Sequence, residues 1–402
     1  MTGPLVGLSV VEVASYVTGP YACALLADMG AQVVKVEPME QGDPFRGWGK
    51  GGYSPTFRSV NRGKRSLSLD LRSAAGRDIV LELAARADVL VENHRPGTVE
   101  RLGIGYEEVR RRNPRIVYCS ISGFGSSGPY RDRPGYDTVG QAVSGLLSLL
   151  TDLDRPRPMG ISLSDHLTGL YACYGILAAL VGRSVNGEGR LVETSLLQAT
   201  TAFLAENAAR YFAEGDVPTR ETRAEIAQAY AFVCGDGLPF AIHLSSPPKF
   251  WEGLTEAIGR PDLRDDARFV DRAARVRHYR ALEEILAQAF ATAPRAEWLE
   301  RLDRHDVPAG PINRLDEVFV DPGVRHLGLT QEVVHPTAGA MTLLGAGVTV
   351  AGHDEASIAP PPLLGEHTDE ILGEIGIAGA DLERLAAEGV IRRPAPAAKG
   401  AT

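Results

Sequence analysis

The chain has 402 residues, 44% hydrophobic and 23% charged, with 44 Gly and 26 Pro; this excludes global disorder and predicts two or three domains, or one large domain carrying an insertion. Four widely spaced cysteines (Cys23, Cys119, Cys173, Cys234) with no CxxC pair exclude a disulfide scaffold and argue against structural zinc of the usual kind. A formal net charge of −9 removes any broad attraction to nucleic acid or anionic lipid but leaves room for a local basic site. No basic n-region opens the chain, and the apolar stretch near 167–181 is interrupted by Gly and polar residues short of a spanning length. The expectation is a cytoplasmic protein with neither nucleic acid nor membrane as partner.

In chain order, residues 8–13 read as a short strand, 14–20 as a loop, 21–29 as a helix closed by Gly30, and 32–37 (QVVKVE) as a second strand. Such a βαβ unit argues for a parallel sheet. A short strand at 67–71 follows, then a helix over 74–87 with Ser73 as N-cap, a strand at 89–93 (VLVEN), a turn at 95–97, helical stretches, and a strand at 116–122. The alternation predicts an α/β layer structure over roughly the first 125 residues. Residues 123–134, rich in Gly, Ser and Pro, read as loop, and 139–150 as helix. A loop ending in Ser164 and Asp165 leads into a helix over 166–181 that is apolar on most faces and therefore expected to be buried, with Gly169 and Gly175 marking close packing. Residues 191–197 are a strand-to-helix junction. The pattern then changes. Residues 229–234, the turn Gly235-Asp236-Gly237 and 238–244 give a hairpin signal, 245–248 caps a helix to Ala257, 260–277 is charged and loop-like, and amphipathic helices cover 280–290 and 295–304. Residues 307–313 (VPAGPIN) form a connector, and the tail from Arg392 is expected to be disordered.

Three groups of residues invite a chemical reading. The first strand–loop–helix, with Glu37 ending the second strand, has the outline of a dinucleotide site. Its loop is Ser15-Tyr16-Val17-Thr18-Gly19-Pro20, however, not GxGxxG, and Pro20 removes an amide donor, which weakens that reading. The cations of 61–65 (NRGKR), with Arg72, Arg95 and Arg101, suit phosphate contacts, although composition alone favours a solvated patch or ion pairs. Asp165, read alone, is a helix N-cap in company with Ser162 or Ser164, and His166 diverges from it in direction. Neither a GxSxG elbow nor an HExxH spacing occurs.

In their order and spacing, the segments 26–37 (LADMGAQVVKVE), 61–71 (NRGKRSLSLDL), 87–102 (ADVLVENHRPGTVERL), 122–129 (SGFGSSGP), 307–313 and 364–372 (LGEHTDEIL) resemble the family III CoA-transferases. That group includes formyl-CoA and carnitine CoA-transferases and α-methylacyl-CoA racemase. The resemblance, which runs from Leu8 to Ile391, implies an α/β fold: an open Rossmann-like parallel-sheet large domain from both ends of the chain (1–198 and 325–391), an inserted small α+β domain (224–310) and a disordered tail (392–402). It implies no tightly bound cofactor. Coenzyme A enters as a substrate moiety, and the partners are an acyl-CoA, a carboxylic acid and a second copy of the chain in an interlocked homodimer, with 199–223 and 310–328 as the linking spans. By motif matching, Leu69, Asp70, Leu71 and Arg72, with Asn93, His94 and Arg95, line the nucleotide end, and Arg101 meets phosphate. Val17, Tyr136 and Asp137 border the acyl group. Asp165 matches the family's catalytic carboxylate and takes that role in place of the simple N-cap. The implied chemistry is nucleophilic catalysis through an aspartyl anhydride and an aspartyl-CoA thioester.

The departures sort the branches. The racemase branch needs a base on each face of the α-carbon. Here Tyr136 stands where that branch has a His, and 245–248 (SSPP) lacks its Glu, which favours transfer over racemisation. A catalytically silent acyl-CoA-binding homologue is the remaining alternative. Val17 replaces the Gln of formyl-CoA transferase, 245–248 is not its Gly-rich loop, and His94 stands where Phe is common. These differences leave the acid undetermined and argue against formate or oxalate.

Overall fold

The structure, a computed structural model, describes residues 3–352 and 359–393. The Val-rich runs SVVEV and QVVKVE become β1 (Ser9–Val13) and β2 (Gln32–Glu37), followed by β3 (Lys64–Leu69), β4 (Val89–Glu92), β5 (Val117–Ser122) and β6 (Leu191–Ser195). Later in the chain come β7 (Ala229–Val233), β8 (Pro239–His243), β9 (Ala309–Pro311), β10 (Thr330–His335), β11 (Gly339–Leu344) and β12 (Ile391–Arg392). One seven-stranded sheet has the order β12-β3-β2-β1-β4-β5-β6. Its pairs are parallel except β12, which runs antiparallel to β3 with Ile391 opposite Leu69. The order reverses between β1 and β4, and in open α/β sheets such a reversal opens a crevice at the carboxyl ends of the strands.

The chain divides into two units. The larger comprises Met1–Leu147, Pro158–Leu204 and Arg325–Thr402; the smaller comprises Ser148–Arg157 and Ala205–Val324. In the larger unit both faces of the sheet are covered. Val11, Val34 and Leu67 pack with Leu81, Ile371 and Leu385 of the helices Ala74–Arg86, Thr368–Glu374 and Ala380–Ala387. Val10, Val33 and Val91 pack with Leu26, Ala172 and Ile176 of the helices Thr18–Asp28 and Leu163–Asn186. Gly169 and Gly175 mark close approaches: an added Cβ would lie 2.9 Å from the Thr18 carbonyl oxygen and 2.7 Å from Val192 Cγ1, respectively. In the smaller unit, β7 and β8 form the expected hairpin. Its apolar face packs on aromatic residues of neighbouring helices, including Trp251, Phe290 and Trp298.

Several expectations are corrected. The first helix begins at Thr18, not Tyr21, because Pro20 fits the first turn, where its missing N–H is not needed. The short strand begins at Lys64 rather than 67, since the charge of Lys64 is neutralised inside the protein. The helix expected over 139–150 is Asp137–Val143 followed by a 3-10 turn, Leu146–Leu149, with Gly145 at φ +88° between them. Asp165 lies inside its helix, which starts at Leu163. That helix runs 24 residues, long and apolar enough by length and composition to cross a membrane, so the expectation of a shorter segment fails. Nor is it buried all round: Leu170, Tyr174, Leu177, Val181 and Val185 form an exposed stripe. The segment 260–277 contains the 3-10 turn Pro261–Arg264 and a helix, Arg272–Arg277, capped by Asp271, and the connector 307–313 contributes β9 as a third strand beside β8. Arg392 pairs in β12 and Arg393 bonds Asp369, so both are built into the fold; the rest of the expected disordered tail, 394–402, lies outside the described residues.

Beneath β1–β3 lies a buried charge network. Lys35 Nζ is 2.6 Å from Glu12 Oε1 and 2.9 Å from Asp43 Oδ2, and Lys64 Nζ is 2.7 Å from Glu12 Oε2, all with fully buried side chains. Arg46 holds Glu37 through Nη2 and Nε, each at 2.7 Å. Burial drives the Glu12 carboxyl upward, but Lys35 and Lys64 outweigh it and leave the group below its ordinary value. Burial likewise pulls Lys35 down, and Asp43, Glu12 and Glu37 more than restore it. Removing one member of such a network strands a charge in the interior, which costs about 3–5 kcal/mol. We therefore expect Glu12→Ala to lose about that much stability in urea unfolding, and Arg384→Ala, at an exposed helix pair, to lose far less. Equal small losses would contradict the assignment.

Candidate active site

The loops that follow β1 and β4 meet at the reversal point of the sheet and line a cavity of about 250 Å³. Its walls include Ser15, Tyr16, Val17 and Thr18 from the first loop, Asn93, His94, Arg95 and Pro96 from the second, and Arg131, Arg133, Gly135, Tyr136 and Asp165. The first loop is clamped by Asn93. Its Oδ1 accepts from Ser15 N–H at 2.9 Å, and its Nδ2 donates to the Ser15 carbonyl at 2.6 Å and to Thr18 Oγ1 at 3.0 Å. Below, Lys35 donates to the Ala14 carbonyl and Lys64 to the Pro20 carbonyl, each at 2.8 Å.

Asp165 sits in the first turn of the helix Leu163–Asn186, after Ser162, which makes no side-chain cap. Its own N–H donates to Asp137 Oδ1 at 3.2 Å, and Gln141 donates to Asp137 Oδ2 at 2.6 Å. Burial, and then the like charge of Asp137, push the Asp165 carboxyl up to about 7. The helix N-terminus works against that shift by favouring the anion. His166 points elsewhere: its Nδ1 lies 2.7 Å from the Ser162 carbonyl oxygen and its ring stands edge-on to Tyr21.

Not all the residues singled out in the sequence reach this cavity. Val17, Asn93, His94, Arg95, Tyr136 and Asp165 line it. Val17 does so while its side chain is buried with Phe45, Phe57 and Val60. Asp137 is not among the lining residues and acts as a support for the first turn of the long helix. Leu69 is buried in the core, Asp70 is paired with Arg72, and Leu71 packs on the core edge, all at the end of β3 and away from this cavity. The NRGKR cations are taken up by ion pairs: Arg62 with Asp28 and Lys64 with Glu12 in the interior, and Arg65 with Glu370 and Glu374 at the surface. Glu37, the acid of the dinucleotide reading, is consumed by Arg46 and Ser66.

The sequence marks Ser15, Tyr16 and Thr18 only as part of a weak dinucleotide loop, and Arg131 and Arg133 are missed there. Their signal was the Gly- and Pro-rich setting of both loops, which lets backbone approach backbone: a Cβ on Gly135 would lie 2.8 Å from Gly123 Cα. Arg101 and Arg131 converge over Gly97, where an added Cβ would be 3.3 Å from Arg101 Nη1 and 3.5 Å from Arg131 Nη2. With Arg95 they make a cationic rim, in which Arg131 also pairs with its neighbour Asp132 at 3.0 Å. A second cavity of about 640 Å³ adjoins the first through Arg95, Pro96, Ser122 and Arg131. Its floor holds Glu92, whose buried carboxyl accepts from His94 N–H at 2.8 Å and is pushed up to about 7 by burial.

Comparison with known proteins gives this geometry a family. The model of CoA-transferase family III matches residues 5–368. Succinyl-CoA:glutarate CoA-transferase of Mus musculus is 36% identical over 398 residues, covering 97% of this chain and 91% of that protein. Formyl-CoA:oxalate CoA-transferase of Streptomyces avermitilis is 34% identical over 412 residues, covering 97% and 100%. A solved CAIB/BAIF family protein from Brucella suis aligns with a TM-score of 0.80 at 34% identity, covering 93% of this chain and 100% of that one. A sheet with its crevice at the strand reversal, a cationic rim and matches that span nearly the whole chain lead to one conclusion: this protein belongs to CoA-transferase family III and is a CoA-transferase.

Proposed function

We propose that Asp165 is the nucleophile of a CoA transfer between two short carboxylic acids. The observation that carries this is the placement of its carboxylate in the crevice cavity, on a helix N-terminus and beside the cationic rim. The Asp165 carboxylate attacks the thioester carbonyl of the donor, forming a mixed anhydride and expelling CoA thiolate. The thiolate then attacks the aspartyl carbonyl, releasing the donor acid as its carboxylate and leaving an aspartyl-CoA thioester. The acceptor carboxylate attacks that thioester, expelling the thiolate again. The thiolate attacks the acceptor carbonyl of the new anhydride, which yields the new acyl-CoA and regenerates Asp165. Atoms and charge balance with no net proton taken up. The crevice and the rim of Arg95, Arg101 and Arg131 suit the anionic CoA moiety. Short acids are the proposed donors and acceptors because a related enzyme is named for succinyl and glutarate groups and the cavity is small.

An acyl-CoA and hydroxylamine should yield a hydroxamate at Asp165, found by peptide mass spectrometry, and Asp165→Asn should abolish both adduct and transfer. An active Asp165→Asn enzyme without adduct would refute the mechanism, and deuterium uptake at the α-carbon of a 2-methylacyl-CoA would point to racemisation instead.

The nucleophile must be ionised, so kcat/KM should rise with pH through about 7 as free Asp165 loses its proton. Asp137→Asn removes the like charge that raises it, and the midpoint should move to lower pH. A midpoint that stays put or rises would remove Asp137 from this role.

We infer too that the exposed stripe on the helix Leu163–Asn186, with Tyr174 at 70%, Val181 at 68% and Val185 at 86% exposure, is covered by a second copy of the chain. Light scattering should give a dimer for the native protein and a loss of mass for Val181→Glu. A monomeric native protein would remove the inference.

A further inference from the structure

Tyr16, in the loop after β1, is held in an unusual position. Its φ is +64°, a left-handed conformation that residues with a Cβ resist and that persists only where the surroundings impose it. The surroundings do so here: Tyr16 N–H donates to Asp43 Oδ1 at 3.3 Å, Ser15 is locked to Asn93, and Val17 is anchored in the core. The Tyr16 ring is thereby fixed edge-on against Phe45, with centroids 5.4 Å apart, and against Tyr136 at 5.9 Å. Phe45 is 5% exposed and forms a rigid backing, whereas Tyr136 is 61% exposed. Both tyrosines line the cavity that contains Asp165.

We propose that Tyr16 is a specificity-determining residue whose phenol, paired with Tyr136, selects short acyl groups bearing a second polar group, a hydroxyl or a carboxylate, over alkyl chains of equal length. The inference rests on Asp165 being the nucleophile. Burial, and then the neighbouring Tyr136 and Asp43, raise the Tyr16 phenol above its ordinary value, so it is a hydrogen-bond donor at neutral pH. A site that donates a hydrogen bond to its substrate discriminates against an analogue lacking the acceptor far more sharply than an apolar pocket discriminates against an extra group, because its own donor is left unpaired. The imposed backbone at Tyr16 holds its ring between Phe45 and Tyr136 at the cavity wall.

The test uses thioesters with four-carbon acyl groups: succinyl-CoA, 3-hydroxybutyryl-CoA and butyryl-CoA. Each is assayed by exchange with its own isotopically labelled acid, and the readout is the ratio of kcat/KM for each polar thioester to that for butyryl-CoA. Within one protein sample this ratio is insensitive to the folded fraction. The native enzyme should favour the polar thioesters. Tyr16→Phe, which keeps the ring between Phe45 and Tyr136 but removes the donor, should reduce that preference by about tenfold, the effect of one hydrogen bond to a charged or strongly polar group. A native enzyme that favours butyryl-CoA, or a Tyr16→Phe ratio unchanged from the native one, overturns the proposal and leaves Asp165 chemistry standing. No exchange with any thioester and no hydroxamate at Asp165 defeats the underlying reading itself, and this inference with it.

Discussion

The loops that line the candidate site of the larger unit depend on one carboxylate shared by two lysines. Glu12 on β1 meets Lys35 on β2 and Lys64 on β3, and all three side chains are fully buried. Ion pairs of this kind are rarely a net source of stability against an apolar core, but breaking one is costly. Their effect here is positional. The same lysines reach the Ala14 and Pro20 carbonyls, one on each side of the Ser15–Thr18 turn, while Asp43 holds the Tyr16 amide. Glu12, Glu37 and Asp43 balance Lys35, Lys64 and Arg46, so the network carries no net charge to be desolvated alone. A turn that includes a left-handed tyrosine is thereby fixed from below.

Asp165 is set by the opposite balance. Its amide is tied to Asp137 and its carboxylate lies at a helix N-terminus, yet burial and the Asp137 charge hold its carboxyl near neutrality. A group poised this way is an anion over part of the physiological range, and that anion is more basic than an ordinary surface carboxylate. Because Asp137 both positions and destabilises the anion, geometry and reactivity are coupled through one residue.

The C-terminal segment completes the larger unit. Gly365 N–H donates to Ser66 Oγ, His367 N–H to the Ser66 carbonyl, and Thr368 Oγ1 accepts from Ser68 N–H, so the LGEHTDEIL motif follows the edge of β3. Arg46 donates to the Pro362 carbonyl and ties the buried charge network to the same segment. Residues 300 positions apart thus share one hydrogen-bond system. A motif that carries the family resemblance in the sequence here packs along a sheet edge.

The sequence determined what period and local chemistry control. The βαβ alternation, the Ser73 cap, the hairpin at Gly235-Asp236-Gly237 and the close-packing glycines of the long helix are short-range consequences of side-chain shape and turn preference. The ordered motifs also identified the family. Tertiary structure alone decided which charges are buried against one another and which line a cavity. Nothing local distinguishes Lys64 and Arg62, paired with carboxylates contributed by distant positions, from Arg131 and Arg133, which line the cavity. Nor does a helix that is apolar all round reveal that one side stays exposed, because burial belongs to the neighbours a residue meets rather than to the residue. The backbone strain at Tyr16 is of the same kind: a tyrosine prefers negative φ, and only contacts closing from Asp43, Asn93 and the core hold it otherwise.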